Sequence, residues 1–103
     1  MRTPGASVMP YRFEWDSNKA EANASKHGVS FHDAVTVFGD QLARCMEDPD
    51  HGNGEQRFVL LGQTQSGRLL VVAYCERPPL TRLISARPAT ARERRDYEQG
   101  EGA

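Results

Sequence analysis

"RFVLLGQTQSGRLLVVAYCERPPLTRLISAR", residues 57–87, consists of three apolar runs and two separators, and its period decides the fold. The first separator is Thr64-Gln-Ser-Gly67 and the second is Arg77-Pro-Pro-Leu80. Gly-ended and Pro-stiffened tetrapeptides of this kind reverse a chain within a few residues. The runs are short and rich in Leu, Val and Ile, which favours strands over helices. Three strands joined by two short reversals form an antiparallel sheet. In residues 68–75 both parities are apolar, so this strand is expected at the centre of the sheet, covered on both faces. Expected strands are 56–63, 68–76 and 80–87, with another near 42–47 from "QLARCME".

Upstream the period changes. Tyr11, Phe13 and Trp15 alternate with Arg12, Glu14 and Asp16, the period of a short strand. Asp16 or Ser17 can cap a helix over 18–27, and Gly28 is suited to the left-handed residue that ends it. Ser30 stands three before Asp33, in a capping-box-like start. Phe31, Ala34, Val35 and Phe38 then follow at i, i+3, i+4 and i+7, which predicts a helix over 31–38. Thr90-Ala-Arg-Glu93 is a capping box opening a last helix over 90–98.

The expected class is α+β: a small antiparallel sheet of about four strands plus a short N-terminal strand, with two N-terminal helices packed on it and a short C-terminal helix. Val59, Leu61, Leu69, Val71 and Ile84 are the expected core, with Phe31, Val35 and Phe38 packed on them. Residues 1–10 and 99–103 read as flexible tails around one domain at 11–98, and Met9 is an alternative start.

Composition limits the functions. The chain has 103 residues, 38% apolar and 26% charged, with a mean hydropathy of −0.66. No apolar run approaches the ~18 residues of a membrane span, and no basic-then-apolar signal peptide is seen, so a cytoplasmic protein is expected. Cys45 and Cys75 lack metal-ligand spacing and read as reduced thiols, a disulfide between them being the alternative. Asp48, Asp50, His51 and Glu55 fit a calcium loop poorly, so neither metal nor cofactor is expected. Phosphate-binding glycine loops, GxSxG, HExxH and aromatic stacking platforms of the RNA-recognition type are absent.

A net charge of −1 conceals an asymmetry. Residues 1–56 hold 5 Lys+Arg against 9 Asp+Glu, whereas residues 57–103 hold 8 against 5. One end of the fold is therefore expected to attract an anion, although a solvated arginine surface gives the same count. Arg57, Arg68, Arg82 and Arg87 lie near strand ends, where several guanidiniums can gather on one rim and fork phosphate oxygens. Lys19, Asn23 and Lys26 share a helix face, and His27 lies in the last turn, where the helix dipole favours a cation. This corner can bind phosphate or move a proton, or it can simply be a solvated helix end.

A resemblance rests on residues that stand in order along the chain: "FEWD" (13–16), Lys19, Asn23, "KHGVSF" (26–31), Asp33-Ala34, Val37-Phe38, Asp40, Glu55, Arg57-Phe58, Gly62, "GRLLVV" (67–72), Tyr74, Glu76-Arg77, Arg82, "ISAR" (84–87), Ala89-Thr90, Glu93-Arg94 and Tyr97. From Phe13 to about Tyr97 the chain resembles the BrnT family of type II toxins. That resemblance implies a RelE-like fold and metal-independent endoribonuclease activity. It implies neutralisation by a BrnA-like ribbon-helix-helix antitoxin, two toxins to an antitoxin dimer, with DNA contacted only through the antitoxin. It points to Lys26, His27, Arg57 and Arg87 as catalytic. Lys19, Arg68, Arg82 and Arg92 are then RNA-binding candidates, with structural roles open for Glu55 and Arg68. The four catalytic candidates are expected to converge on one phosphate and to tolerate alanine at little stability cost. Rival readings are a non-catalytic antitoxin-binding co-repressor and a generic nucleic-acid binder.

Overall fold

The computed structural model describes residues 12–48 and 56–100. The expectations for residues 1–11, for Asp50, His51 and Glu55, and for 101–103 lie outside the described residues. Strand β1 (Arg12–Glu14) leads into helix α1 (Ser17–His27) and the one-turn helix α2 (Phe31–Ala34), which tightens into a 3₁₀ helix over Val35–Gly39. Strands β2 (Arg44–Glu47), β3 (Arg57–Gln63), β4 (Leu69–Arg77) and β5 (Leu80–Pro88) follow, then helix α3 (Ala91–Glu98). The strands form one sheet in the order β1-β5-β4-β3-β2, with β4 at its centre as expected.

The sheet is mixed, not wholly antiparallel. β2 through β5 are antiparallel neighbours, but β1 runs parallel to β5, Arg12 beside Leu80 and Glu14 beside Arg82. The direction follows from what β1 must deliver. Asp16 caps α1, its Oδ1 accepting from the Asn18 and Lys19 amides at 2.8 and 3.1 Å. α1 then advances in the same direction as β1, along the stretch of β5 that β1 does not reach. There Asn23 takes the place of a strand: its amide nitrogen donates to the Ala86 and Val29 carbonyls at 2.9 and 3.0 Å, and its oxygen accepts from the Ala86 amide at 3.0 Å. Asn23, expected on a polar stripe with Lys19 and Lys26, is instead buried and wholly engaged in this latch.

Gly28 closes α1 at φ +68°, its N–H bonded to the Ala24 carbonyl at 2.9 Å. Ser30 caps α2 through the Asp33 amide, but the Asp33 carboxylate is bonded by the Ser66 hydroxyl of the β3–β4 turn at 3.3 Å. The expected α-helix over 31–38 is therefore α-helical for one turn only. Val35, Thr36 and Val37 are β-branched and fit poorly into an extended α-helix, and the Thr36 hydroxyl donates to the Asp33 carbonyl at 2.7 Å.

Two cores lie on opposite faces of the sheet. The larger joins Val29, Phe31, Ala34 and Val37 to Leu60, Leu70, Val72, Tyr74, Leu83 and Ala86, with Val35 and Phe38 packed at its margin. The smaller joins Leu61, Leu69 and Val71, with Val59, Ala89 and Tyr97 beside them, under α3. The sequence-based core list thus combined two faces. Val59, Leu61, Leu69 and Val71 point away from α1 and α2, and the even-numbered residues of β4 face them. Ile84 is no core residue: β4 and β5 slip register there, Ala73 pairing with Ser85 and Tyr74 with Leu83, so Ile84 bulges and is half-buried.

Gly62 is needed for close approach. A Cβ there would stand 2.9 Å from both the Ala43 Cβ and Val37 Cγ1 and 3.2 Å from Asp40 Oδ2. Gly62→Ala is expected to cost about 1–3 kcal/mol by overpacking, read as a lower urea midpoint at unchanged m-value.

Candidate active site

Cross-strand register places three rows of side chains on the sheet face turned away from α1 and α2. Arg87, Val71, Leu61 and Arg44 form one row; Ser85, Ala73, Val59 and Met46 form the next; Arg82, Cys75 and Arg57 form the third. α3 covers only one end of this face. The remainder is a trough: a cleft of about 290 Å³ lined by Asp48, Arg57, Val59, Ser85, Arg87 and Glu93 among others, merging into one of about 400 Å³ that reaches Arg44 and Asp96. Met46, Val59 and Val71 floor both.

The two arginines of the cleft are held differently. Arg87 grips Glu93 with both terminal nitrogens at 2.9 Å, and its Nη1 also donates to the Pro88 carbonyl at 3.2 Å. Glu93 closes the α3 capping box as well, accepting from the Thr90 amide at 2.9 Å while Thr90 Oγ1 accepts from the Glu93 amide at 3.1 Å. The Arg87 guanidinium, against the opposing effect of burial and with help from Thr90, brings the Glu93 carboxyl down to about 2, and Glu93 in turn raises Arg87. Arg57 has only a 3.5 Å contact with Asp48 Oδ2, and its Nε is buried with no acceptor among the described residues. Arg57 is therefore the guanidinium with donors still to place.

The Arg87 clamp changes what alanine would do there. Arg87 ties the end of β5 to the first turn of α3, so its loss costs stability as well as charge. The contribution is modest, about 1 kcal/mol, because the pair is partly solvated, Arg87 at 39% and Glu93 at 29% side-chain exposure. Since Glu93 is depressed, its contribution is full above the unfolded carboxyl value, ~4.3, and is lost as pH falls through about 2. Glu93→Gln is expected to flatten the stability–pH curve between those limits. A second tie holds α3: Tyr97 donates to Asp40 Oδ2 at 2.7 Å, and the Gln63 and Leu42 amides donate to the same carboxylate at 2.8 and 2.9 Å. Burial raises the Asp40 carboxyl, but these three donors more than offset it and hold it below the ordinary carboxylate value. Burial first, then Asp40, pushes Tyr97 up to about 12.

Arg57 and Arg87 are brought together, but Lys26 and His27 are not beside them. Lys26 and His27 line a separate groove of about 220 Å³ between α1 and the unpaired part of β5, with Lys19, Ala22, Asn23, Ile84 and Ser85. Ser85 borders both grooves. The four residues expected to converge on one phosphate are thus divided between two grooves that share Ser85. Arg68, Arg82 and Arg92 line neither. Arg68 donates to the Gly28 carbonyl at 3.0 Å and so closes the end of α1, Arg82 pairs with Glu14 at 3.4 Å, and Arg92 is exposed on α3.

Four contributors were not singled out from sequence. Met46 and Ser85 carry no chemical signature and are found only through strand register. Glu93 was legible as a cap, but not as the carboxylate that holds Arg87. Arg44 donates to the Asp96 and Gly100 carbonyls at 3.0 and 2.8 Å, closing the C-terminus of α3. Neither Cys45 nor Cys75 is in a disulfide, and Cys45 Sγ lies 3.3 Å from the Tyr74 hydroxyl. Among the described residues, no group of three or more His, Cys, Asp or Glu side chains is placed to hold a metal ion, and no helix is long and apolar enough to cross a membrane.

The model of one protein family, the ribonuclease toxin BrnT of type II toxin-antitoxin systems, matches residues 15–93. The crystal structure of the Brucella abortus ribonuclease toxin BrnT is similar to this one. It aligns with a TM-score of 0.59 at 22% identity, over 78% of this chain and 97% of that one. Comparison with curated proteins gave no significant match. The match of the family model spans the β1–α1 corner, the whole strand meander and the Arg87–Glu93 clamp, and the chain belongs to the BrnT family of ribonuclease toxins of type II toxin-antitoxin systems.

Proposed function

We propose that this chain is a metal-independent endoribonuclease of RelE-like design that acts in the cytoplasm, cutting RNA in the trough between β2 and α3. The observation that carries this reading is the cleft shared by Arg57 and Arg87 in a member of a ribonuclease family. In the reaction, the ribose 2′-oxygen attacks the adjacent phosphorus and the bond from phosphorus to the 5′-oxygen breaks. The 2′-hydroxyl proton passes to solvent water, the leaving 5′-oxygen takes one from water, and the products are a 2′,3′-cyclic phosphate and a 5′-hydroxyl. The phosphorane carries extra negative charge, which guanidiniums stabilise without a metal.

Arg57 is assigned the larger share of that stabilisation, because its donors are less committed. Arg87 adds a guanidinium donor whose orientation Glu93 sets and whose charge the Glu93 carboxylate largely offsets. Glu93, at about 2, is ionised at neutral pH and has no proton to give. Lys26 and His27, in the other groove, are not assigned proton transfer at a phosphate seated on Arg57.

The partner is a BrnA-like ribbon-helix-helix antitoxin, two toxins on an antitoxin dimer, with DNA contacted through the antitoxin alone. One observation favours the alternative of a non-catalytic co-repressor. Both cleft arginines already face carboxylates, and the trough floor includes Met46 at 52% exposure, so the surface also suits a protein segment. Inducing the chain alone in a bacterium separates the two. The ribonuclease reading expects growth arrest with fragmented RNA, both abolished by Arg57→Ala. Normal growth with intact RNA would favour the co-repressor.

A further inference from the structure

Two lysines without a carboxylate partner among the described residues lie away from the arginine cleft. Arg57, Arg82 and Arg87 pair with Asp48, Glu14 and Glu93. Lys19 and Lys26 are exposed and have no ion pair among the described residues, and with His27 they line the groove beside β5. The spacing of Lys19 and Lys26, i and i+7 on α1, places them about two turns apart on one side, roughly 10 Å along the axis. At that separation the two flexible ammonium groups can reach different phosphates of one strand.

The groove is also positioned to share a strand with the cleft. β1 pairs with β5 only over Leu80–Arg82, which leaves the following residues without a neighbouring strand on that side. Ile84 bulges there, and Ser85 borders the groove on one side and the arginine cleft on the other. Asn23, consumed by its hydrogen bonds to Val29 and Ala86, fixes α1 against this edge and sets the groove's width.

Resting on the ribonuclease reading above, we infer that Lys19, Lys26 and His27 form a second phosphate subsite for single-stranded RNA. A strand whose scissile phosphate sits at Arg57 crosses the β5 edge at Ser85, and its flanking phosphates lie along α1. The substrate class is therefore single-stranded RNA several nucleotides long. A duplex, with both backbones held in a stiff helix, does not fold over a single strand edge.

The test uses binding, so that it reads out whether or not the chain cuts. The affinity of the full chain for a series of 2′-O-methyl RNA oligomers of increasing length, which cannot undergo 2′-attack, is measured against salt. In the wild type, affinity is expected to increase again once the oligomer is long enough to cross Ser85. Lys19→Ala/Lys26→Ala should remove that second increase and weaken binding of the longest oligomer about 10-fold. The slope of log affinity against log salt should become shallower by about 1.4, the value for two phosphate contacts on a single strand. Lys26→Glu should weaken binding further than Lys26→Ala, and circular dichroism should show all variants folded, since both lysines are exposed. A double variant with wild-type affinity and salt slope for the longest oligomer overturns the subsite. Failure of the wild type to cut natural RNA while these binding differences persist would overturn the ribonuclease reading alone.

Discussion

Arg57→Ala is expected to lower the rate of RNA cleavage about 10²-fold, equivalent to ~3 kcal/mol of transition-state stabilisation, while the protein melts within a few degrees of wild type. The rate effect is large because Arg57 lines the cleft and its terminal nitrogens make, among the described residues, only a long ion pair with Asp48. The stability effect is small because its ion pair with Asp48 is long, 3.5 Å, and partly exposed. Arg57→Lys keeps the charge but loses the planar fork, so it should restore only part of the rate. Single-turnover cleavage alongside a thermal melt separates the two effects. A variant that unfolds, or one that cuts at the wild-type rate, removes Arg57 from the proposed role.

Asn23→Ala should show the opposite pattern and be the most destabilising of the substitutions considered. The side chain is 7% exposed and makes three hydrogen bonds that join α1 to the edge of β5 and to the Val29 carbonyl. Alanine would leave the Ala86 amide, the Ala86 carbonyl and the Val29 carbonyl without these partners. A buried unsatisfied group costs about 1–3 kcal/mol, and partial relaxation makes the total about 3 kcal/mol. In a domain of this size that lowers the melting temperature by roughly 10–20 °C. Asn23→Asp keeps an acceptor for the Ala86 amide but sets a carboxylate against two carbonyl oxygens, and should rescue little. A calorimetric melt decides the point: a loss below about 1 kcal/mol would mean that the latch is not what holds α1 to the sheet.

Much of the fold was legible because its signals are local. The turn chemistry at Thr64–Gly67 and Arg77–Leu80, the doubly apolar run of β4, and the caps at Asp16, Ser30 and Thr90 each fix a structure within a few residues. What could not be read is non-local. In a strand apolar on both parities, alternation cannot say which set faces α1 and α2, and the core list accordingly drew residues from the smaller core. The parallel direction of β1 depends on where α1 must arrive, which no local pattern encodes. Thr36 shows the same limit inside a helix: the apolar spacing was right, but the β-branched run and the hydroxyl-to-Asp33 bond tightened the backbone to 3₁₀.

The candidate site was partly legible for related reasons. Residue chemistry pointed to a rim of strand-end arginines and the family resemblance to Arg57 and Arg87 among them; register sets these two in different rows, and both line one cleft. The same chemistry pointed to Lys26 and His27, but helix periodicity gives a face of α1 and not the side of the β5 edge on which that face lies. Nor does sequence show that a capping glutamate six residues after Arg87 also clamps it, which turns an apparently free phosphate fork into a partly structural pair.

End-group analysis of RNA cut by the purified chain in a chelator tests the central claim most directly. A metal-independent enzyme acting through the 2′-oxygen should cut at undiminished rate, leave 2′,3′-cyclic phosphate and 5′-hydroxyl ends, and fail at any position carrying a single 2′-deoxy substitution. Cleavage that stops in chelator, leaves 5′-phosphate ends, or proceeds at the 2′-deoxy position would contradict it.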